Sequence, residues 1–464
     1  MHASDKAFRA ELVALLGPEG MRDETRMDEI DPGFHADNLA AGLVALPRST
    51  PEAQAIVGLC ARHGIAMVAH GGRTGLAGGA ASMPGQLIVS TARLDGIEPI
   101  DALESIAVVG AGVRLAAVEE MAGAHGLTLG IDLAARDTAT IGGMISTNAG
   151  GTEAFRNGMM RTRVLGLEAV LADGSVVSDL SRVTKVNEGL DVKQLFIGAE
   201  GTLGIVTRAV LRLVPRPGER ATALTAVASA TAAVRLFHRL RQAASGGRLV
   251  AAEIMFADYV HIAAADLKLE RLVDFCPAPA YVLIELSAPD AVAARADLEA
   301  GLAAAMAAGE GLLDALVAQS EAERARFWRL REDTWAVERQ KPGGLWFDIS
   351  LPLALIDTYM TALRARLDAI DPALGLYVMG HLGDGNLHVT VARDGPAKGL
   401  KDEVSRAVEH GLKAWGGAIS AEHGIGLDKR EALRREGDPG KLALMRAIKQ
   451  ALDPHDLMNP GKIY

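Results

Sequence analysis

The chain is poor in cysteine: Cys60 and Cys276 are the only two among 464 residues. Two cysteines exclude a disulfide framework, and they fall short of the four thiolates that an iron–sulfur cluster usually needs. The sequence also lacks any run of 18 apolar residues, so it predicts no transmembrane helix. The first residues, MHASDKAFRAELVALLG, contain an early Asp5 and no long apolar stretch, unlike a signal peptide. We therefore expect a cytoplasmic protein, with a peripheral position at the inner membrane as the alternative.

Clusters of basic residues are also missing. The net charge is −10, from 48 Lys and Arg against 58 Asp and Glu. This balance argues against a nucleic-acid partner, because such binding depends on neutralising phosphates. The hydrophobic content of 49% and the charged content of 23% are ordinary for a globular enzyme. At roughly 150 residues per domain, the length suggests about three domains.

Short strand patterns alternate with helical patterns and glycine-rich turns up to about residue 217, which is typical of an α/β or α+β fold. The segment LRLVPRPGER (211–220) places two prolines and a glycine after an apolar strand pattern and indicates a domain boundary. A second boundary is predicted near Arg430, before the helices of the tail. These boundaries divide the chain into residues 1–216, 217–430 and 431–464, and the class stays open between α/β and α+β.

One glycine pair offers a different interpretation. Gly110-x-Gly112 follows a predicted strand and precedes a helix, and Asp132 lies 20 residues beyond Gly112. This spacing resembles the nicotinamide-binding Rossmann fingerprint, but Leu115 stands where its third glycine would be. We favour a tight strand-to-helix turn in another α/β fold and keep the Rossmann unit as the alternative.

Three glycine-rich segments lie in the first half of the chain: AHGGRTGLAGGA (69–80), ATIGGMISTNAGG (139–151) and GAEGTLGIVT (198–207). Segments with so few side chains let backbone N–H groups converge on an anion. None fits the Walker pattern, because no Gly-Lys-Ser/Thr follows. The segments are either three unrelated tight turns or parts of one cradle for an extended ligand with a pyrophosphate.

Six motifs occur in a fixed order: GGRTGLAGG, DTATIGGMISTNAGG, GAEGTLGIVTR, GHLGDGNLHVTV, SAEHGIGLDKR and DPHDLMNPGKIY. Over roughly residues 40–464 the chain resembles the FAD-linked oxidase superfamily of vanillyl-alcohol oxidase type. Within it, the chain is similar to the D-2-hydroxy acid dehydrogenases, which include D-lactate dehydrogenase, D-2-hydroxyglutarate dehydrogenase and the glycolate oxidase flavoprotein subunit. The resemblance implies an FAD-binding domain of two α/β subdomains at 1–216. It also implies a cap domain at 217–430 that carries substrate and metal sites on an antiparallel sheet covered by helices. The implied class is α+β, with a segment at 431–464 that returns to the FAD-binding domain.

The resemblance assigns the glycine segments to FAD. The first would bind the pyrophosphate, the second would lie beside the isoalloxazine and ribityl chain, and the third would lie near the adenine. Asn459 would return the tail to this site. Some relatives tether FAD through a histidine after the double glycine; here that position is Arg73, and His70 precedes the glycines, so we expect noncovalent FAD. The matching residues are Gly71, Gly72, Arg73, Thr74, Gly75, Leu76, Gly142, Gly143, Thr147, Asn148, Gly150, Gly151, Glu200, Gly201, Gly204, Ile205, Val206 and Asn459.

Two histidines flank a glycine-rich turn in MGHLGDGNLHVTV. If Asp384 and Gly385 form a two-residue type I′ turn, His381 falls directly opposite His388. Directly opposed side chains have Cβ atoms about 4.5–5.5 Å apart. The pair can therefore share one metal ion, or it can be a histidine pair satisfied by hydrogen bonds.

The segment SAEHGIG offers a third ligand in Glu422, followed by His423. Two histidines and a glutamate with an open position are typical of a catalytic zinc site. The resemblance assigns His381, His388 and Glu422 as metal ligands and His423 as the catalytic base. Zinc is our first choice of ion, with manganese or iron as alternatives. The implied reaction is oxidation of a D-2-hydroxy acid to the 2-keto acid, with the hydride passing to flavin N5.

The substrate side departs from the hydroxyglutarate enzymes. Arg331 matches an arginine that binds the substrate carboxylate, although it could also be a surface arginine on a charged helix. Trp335, Trp346 and Thr390 stand where those enzymes have threonine, lysine and asparagine. Indoles provide apolar walls and cannot neutralise a second carboxylate. We predict a substrate with an apolar side chain, such as D-lactate, unless both tryptophans are core residues turned away from the site.

With too few cysteines for a cluster of its own, the chain must pass electrons to an external acceptor: a quinone, an electron-transfer flavoprotein, a cytochrome or an iron–sulfur partner. The open alternatives are D-2-hydroxyglutarate as substrate, an oxidase that reduces oxygen, and a glycolate oxidase-type subunit that works only in a larger complex. A homodimer is compatible with the sequence, which leaves the oligomeric state open.

Overall fold

The computed structural model describes residues 3, 5–243 and 248–464. The chain divides into two compact units. The first comprises Met1–Gly151, Asn157–Arg216 and Glu422–Tyr464, and the second comprises Thr152–Arg156 and Pro217–Ala421. There are thus two units, whereas the length alone suggests about three domains. The C-terminal segment of the first unit begins at Glu422, whereas the sequence predicts its start at residue 431.

The elements alternate between strands and helices along most of the chain. The strands are β1 (Met21–Arg22), β2 (Val44–Ala45), β3 (Met67–His70), β4 (Leu87–Ser90), β5 (Ile106–Gly110), β6 (Leu127–Thr128), β7 (Val164–Val170), β8 (Val176–Asp179), β9 (Ile205–Arg212), β10 (Val214–Pro215), β11 (Glu219–Val227), β12 (Arg248–Phe256), β13 (Ala280–Ala288), β14 (Leu312–Val317), β15 (Leu345–Ser350), β16 (Gly375–His381) and β17 (Asn386–Ala392). The helices are α1 (Lys6–Leu16), α2 (Thr50–His63), α3 (Leu115–Gly123), α4 (Ile141–Thr147), α5 (Ala154–Asn157), α6 (Met160–Arg163), α7 (Ala230–Ala243), α8 (Ala257–Leu267), α9 (Glu270–Val273), α10 (Ala291–Ala308), α11 (Glu321–Glu332), α12 (Ala336–Gln340), α13 (Ile356–Ile370), α14 (Lys401–Glu409), α15 (Arg430–Glu436) and α16 (Pro439–Leu452). In the described residues, no helix is both long and apolar enough to cross a bilayer.

In the described residues the first unit contains two four-stranded sheets, each with its own hydrophobic core, and a two-stranded sheet in which β6 pairs with β10. One has the order β1-β2-β4-β3, with β2, β4 and β3 parallel. The other has the order β5-β9-β7-β8 and is antiparallel. Helix α2 packs with the first sheet and begins as its sequence predicts, because the Ser49 side chain accepts from the N–H of Glu52 and Pro51 lies in the first turn.

The Rossmann interpretation of Gly110 and Gly112 is wrong. Strand β5 pairs antiparallel with β9, whereas a dinucleotide fold needs parallel neighbours. The two glycines are needed for close packing. A Cβ on Gly110 would lie 2.1 Å from the carbonyl oxygen of Leu94, and one on Gly112 would lie 2.0 Å from that of Thr91.

The second unit is built on one sheet with the order β14-β11-β13-β12-β16-β17-β15 over the described strands, with antiparallel neighbours throughout. One face is packed with apolar side chains from the sheet and from α8, α11 and α12, among them Met255, Tyr259, Leu330 and Val337. The predicted fold class, α+β with an antiparallel sheet covered by helices, is confirmed.

Candidate functional site

A groove in the first unit is lined mainly by the three glycine-rich segments, with Thr91, Leu133 and His423 added from outside them. The lining residues are Ala69, His70, Gly71, Gly72, Arg73, Thr74, Gly75, Ala77, Gly79, Ala80, Thr91, Leu133, Ala139, Thr140, Gly142, Gly143, Met144, Ser146, Thr147, Ala149, Glu200, Gly201, Gly204, Ile205, Val206 and His423. Three segments that are separate in sequence therefore form one concave surface, and the reading of three unrelated turns does not hold.

The glycines bring backbone to this surface where side chains would not fit. A Cβ on Gly72 would lie 2.0 Å from the carbonyl oxygen of Thr138, and one on Gly142 would lie 2.7 Å from the Cβ of Ala111. A Cβ on Gly71 would lie 2.3 Å from the Thr140 hydroxyl. That hydroxyl is buried without a hydrogen-bond partner among the described residues. A backbone cradle closed by an unsatisfied hydroxyl suits a pyrophosphate, so the residues present fit the phosphate part of FAD.

The predicted cofactor residues divide between the groove and its support. Those lining it are Gly71, Gly72, Arg73, Thr74, Gly75, Gly142, Gly143, Thr147, Glu200, Gly201, Gly204, Ile205 and Val206, whereas Leu76, Asn148, Gly150, Gly151 and Asn459 are outside the lining. Asn148 has a left-handed backbone (φ 50°) at the end of α4, and its Oδ1 accepts from the N–H of Arg161 at 2.9 Å. Its side chain thus fixes the next turn of the chain.

Glu200 lies in the groove wall, with its carboxylate turned toward another loop of the same unit. One oxygen accepts from the N–H of Ile425 at 2.7 Å and the other from the N–H of Gly426 at 2.8 Å. Burial raises the pKa of the Glu200 carboxyl, and the two backbone donors oppose that rise. Asn459 supports the arrangement, since its Nδ2 donates to the carbonyl oxygens of Gly79 and Glu200 at 2.9 and 2.7 Å.

His70 is the histidine that precedes the first double glycine. It is 1% exposed at the end of β3, and its Nε2 lies 2.8 Å from the carbonyl oxygen of Ala80. Burial lowers the pKa of His70 to about 4. The imidazole is therefore neutral at pH 7, with Nε2–H donating to the carbonyl.

The two histidines of the glycine-rich turn lie in the second unit, and the predicted register is wrong. His381 pairs with Asn386, and Met379 pairs with His388. The loop has four residues, 382–385, because the pairing ends at His381 and Asn386. Asp384 also lacks the positive φ that a type I′ turn requires at both central positions, although Gly385 has it. The N–H of Gly385 instead donates to the carbonyl oxygen of His381 across a four-residue loop. A shift of two residues keeps both imidazoles on one face, and their ring centroids lie 5.4 Å apart.

A buried carboxylate stands behind each histidine. Nδ1 of His381 lies 3.0 and 2.9 Å from the two oxygens of Glu253, which is fully buried in β12. Nδ1 of His388 lies 3.8 Å from Asp348, its register partner in β15. A carboxylate on Nδ1 is the usual support for a histidine that binds metal through Nε2, so this donor set fits a divalent ion.

Sequence reasoning missed both carboxylates. Their signal was present, since Glu253 interrupts the apolar strand RLVAAEIMF and Asp348 interrupts LWFDIS. A charge in an otherwise buried strand needs a partner, and that requirement is the clue. Asp348 is also fixed by two donors: its oxygens accept from Asn386 Nδ2 at 2.8 Å and from the N–H of Ala421 at 3.0 Å.

Arg331 lies within the second unit against Glu253. It is 5% exposed at the end of α11, and its guanidinium nitrogen is 2.6 Å from the carboxylate. Arg331 is therefore not a surface arginine of a charged helix. It meets the same carboxylate as His381, so Arg331, Glu253 and His381 form a continuous buried chain of charged and polar groups.

Trp335 and Trp346 contact each other, with ring centroids 5.0 Å apart, and they are 48% and 37% exposed. Trp346 pairs with Thr390, and two residues further along these strands Asp348 pairs with His388. Side chains two residues apart share a face of a sheet. The indole pair and Thr390 therefore lie on the face that carries His388, and the tryptophans are not buried core residues.

His423 and Glu422 belong to the first unit. His423 lines the glycine groove. Glu422 begins the segment, and its Oε1 lies 3.4 Å from the position that a Cβ on Gly150 would take.

Comparison with known proteins supplies a family. Residues 216–463 match the family described as FAD linked oxidases, C-terminal domain, and residues 41–179 match the family described as FAD binding domain. The chain is 37% identical over 435 residues to a D-2-hydroxyglutarate dehydrogenase of Xanthomonas citri pv. viticola, covering 91% of this chain and 89% of that protein. It is 35% identical over 426 residues to the mitochondrial D-2-hydroxyglutarate dehydrogenase of Bos taurus, covering 90% and 76%.

A solved structure of p-cresol methylhydroxylase with substrate bound has the same fold. The TM-score is 0.74 at 16% identity, covering 99% of this chain and 97% of that one. This likeness bears on the fold alone.

Proposed function

The chain belongs to the FAD-linked oxidases of vanillyl-alcohol oxidase type, in their D-2-hydroxy acid branch, and from this premise we propose that it is an FAD-dependent D-2-hydroxy acid dehydrogenase. The observation that carries the proposal is the position of His423. This residue lines the groove whose glycine-rich walls suit the dinucleotide. A base and a redox cofactor would thus meet at one place, as the oxidation of an alcohol requires.

The groove residues bind and orient the cofactor. Backbone of the Gly71–Gly72 turn and of Gly142 and Gly143 in the first turn of α4, together with the Thr140 hydroxyl, would hold the pyrophosphate. Arg73 would leave the FAD noncovalently bound, because its guanidinium cannot form the tether that a histidine forms. When bound, FAD supplies the acceptor for the hydride that leaves C2 of the substrate.

His423 is the proposed base. An imidazole nitrogen of His423 would take the proton of the substrate hydroxyl while C2 is oxidised. Histidine is the residue type that most often serves as a general base in enzymes.

His381, His388 and Glu422 are the proposed ligands of a divalent ion, with zinc as our first choice and manganese or iron as alternatives. Glu253 and Asp348 support the two histidines from behind. Glu422 is proposed as the third ligand on the family resemblance. When bound, the ion supplies a Lewis acid for the substrate hydroxyl.

We propose that the substrate carries an apolar side chain, as D-lactate or D-2-hydroxybutyrate does. Trp335 and Trp346 form a partly exposed apolar surface on the face of His388, and Thr390 adds no charge. Arg331 was predicted to bind a substrate carboxylate; its contact with Glu253 leaves it partly neutralised within the chain. D-2-hydroxyglutarate is the second candidate, favoured by the names of the relatives.

The proposal is tested by anaerobic reduction of the purified holoprotein. D-2-hydroxy acids should bleach the flavin absorbance, and their L-enantiomers should not. A flavin that none of the D-acids reduces would refute the dehydrogenase. Activity of the isolated chain with an artificial acceptor dye would argue against a subunit that depends on an iron–sulfur partner, and hydrogen peroxide release in air would reveal an oxidase.

Substrate choice is tested by the same assay with Trp346→Lys. The wild type should be reduced faster by D-lactate than by D-2-hydroxyglutarate. The lysine would add a charge partner for the second carboxylate, and we expect kcat/KM to shift toward D-2-hydroxyglutarate by roughly tenfold or more. A wild-type preference for the dicarboxylate would show that the indole pair does not set the specificity.

A further inference from the structure

We propose that Glu200 is a positioning residue for His423, and that it acts by holding the loop that follows this histidine. The inference rests on the proposed function, since it takes His423 as the base. It changes the role expected for Glu200, which the resemblance placed among the FAD-binding residues near the adenine.

Both carboxylate oxygens of Glu200 are engaged by two consecutive backbone N–H groups. Ile425 donates to one oxygen at 2.7 Å and Gly426 donates to the other at 2.8 Å. Consecutive N–H groups that converge in this way form an anion-binding nest. The nest begins two residues after His423, so whatever fixes Ile425 and Gly426 also limits where the imidazole can lie.

Glu200 is itself held firmly. Its own N–H donates to the carbonyl oxygen of Ser146 at 2.8 Å, and its carbonyl oxygen accepts from Asn459 at 2.7 Å. Its backbone has φ 51°, a left-handed conformation that side-chain-bearing residues rarely adopt. The carboxylate therefore projects from a fixed point of the groove wall.

The surrounding glycines leave room for this carboxylate. A Cβ on Gly424 would lie 2.7 Å from Glu200 Oε1, and one on Gly79 would lie 3.0 Å from Oε2. On its other side the loop is bonded to the first glycine segment, because the N–H groups of Leu427 and Asp428 both donate to the carbonyl oxygen of Ala77. The segment after His423 is thus fixed to two walls of the groove, and Glu200 contributes the charged contact.

The test compares Glu200→Gln with a matched control, Glu119→Gln. Glu119 is a partly buried carboxylate of the same unit that also accepts from a backbone N–H, that of Leu129 at 2.9 Å, and burial raises its pKa as it does for Glu200. Glu119 is outside the groove lining. Glutamine keeps the shape of the side chain but offers one acceptor oxygen, so one of the two loop N–H groups loses its partner.

Two readouts are measured on the holoprotein. Amide hydrogen exchange over residues 422–429 should become faster in Glu200→Gln and stay unchanged in Glu119→Gln. The limiting rate of flavin reduction by the preferred D-2-hydroxy acid should fall about 10- to 100-fold in Glu200→Gln, as a misplaced reacting group would cause, while FAD content is retained. In a His423→Asn background the same substitution should have almost no further effect on the rate, because the two residues act as one unit.

Unchanged exchange over 422–429 would overturn the inference whatever the activity. An unchanged reduction rate, rate losses that multiply in the double variant, or loss of FAD from Glu200→Gln would also overturn it; the last would return Glu200 to cofactor binding. These results leave the proposed function standing. A wild-type holoprotein that no D-2-hydroxy acid reduces would overturn the proposed function, and the positioning of a base would fall with it.

Discussion

Single buried charges determine how the candidate ligands are held. Glu253 is fully buried, yet it meets both His381 and Arg331. A buried carboxylate persists only when it is paired, because its transfer from water is costly. The histidine and the arginine supply that pairing, and in return the carboxylate fixes the imidazole orientation. The contacts that compensate the buried charge of Glu253 therefore also orient His381, a candidate metal ligand.

The first prediction concerns Glu253→Gln. Loss of the negative charge behind His381 should weaken binding of a divalent ion by about 10- to 100-fold, the effect that removal of such a support usually has. The measurement is competition for zinc against a chromogenic chelator. The control is Glu285→Gln, because Glu285 is equally buried in β13 but pairs with Arg324 and Trp328 and contacts neither histidine. Equal zinc affinity in the two variants would contradict the prediction.

The second prediction concerns the pH dependence of stability through His70. Its pKa is lowered by burial from 6.5 to about 4, so between these values the unfolded chain binds a proton that the folded chain does not. The stabilising effect of a neutral His70 is thus complete above pH 6.5, and about 3 kcal/mol of it is lost as the pH falls to 4.

His70→Gln tests this, because glutamine can donate to Ala80 and never becomes charged. Urea unfolding with excess FAD should show that the wild type loses stability relative to the variant between pH 6.5 and 4. Parallel pH profiles for the two proteins would refute the assignment.

At the scale of elements, the alternation of side chains along a strand explains why the two histidines lie on one face although the predicted register was wrong. The β16–β17 hairpin is offset by two residues from the expected pairing, which leaves each side chain on its face. An offset of one would have turned one imidazole to the opposite face. Helix α11 is joined to the same sheet by buried charges: Arg324 contacts Glu285 and Arg331 contacts Glu253. Glu253 therefore contacts both helix α11, through Arg331, and strand β16, through His381.

The third prediction concerns the first glycine turn, which acts as an element of the groove. Gly72→Ala places a Cβ 2.0 Å from the Thr138 carbonyl oxygen, so backbone must move. An overpacked contact of this kind costs about 1–3 kcal/mol, and FAD binding should weaken roughly tenfold or more. The control is Gly96→Ala, where a Cβ meets nothing within 4 Å and which lies outside the groove. Titration of the apoprotein with FAD measures both, and equal affinities would contradict the prediction.

At the scale of the whole molecule, the glycine groove and the histidine pair lie in different units. None of the three proposed metal ligands lines the groove, so cofactor retention should not depend on the metal. The fourth prediction is that dialysis against a chelator removes the ion and abolishes flavin reduction by substrate, while FAD stays with the protein in gel filtration. Added zinc should restore reduction. Loss of FAD together with the ion would show that cofactor binding depends on the metal. Full reduction after complete metal removal would refute the proposed role of the ion in the reaction.

Much of the fold and part of the site were accessible from the sequence. Six ordered motifs indicated the family, and glycine content indicated the segments that line the groove. The sequence did not reveal contacts between residues that are far apart in the chain. Glu253 contacts His381, 128 positions away, and Glu200 contacts Ile425, 225 positions away. Nothing local in LVAAEIMF reveals which strand will lie beside it.

By itself, then, the sequence determined the family, the α+β class and the faces of the strands, because periodicity, turn residues and glycine freedom act over a few neighbouring positions. Only the tertiary structure decided that Met379, and not His381, lies opposite His388. It also decided that Arg331 meets Glu253 and that the Glu200 carboxylate holds the loop after His423. These contacts depend on how strands and loops far apart in the chain pack, and packing selects among pairings that local patterns leave equally acceptable.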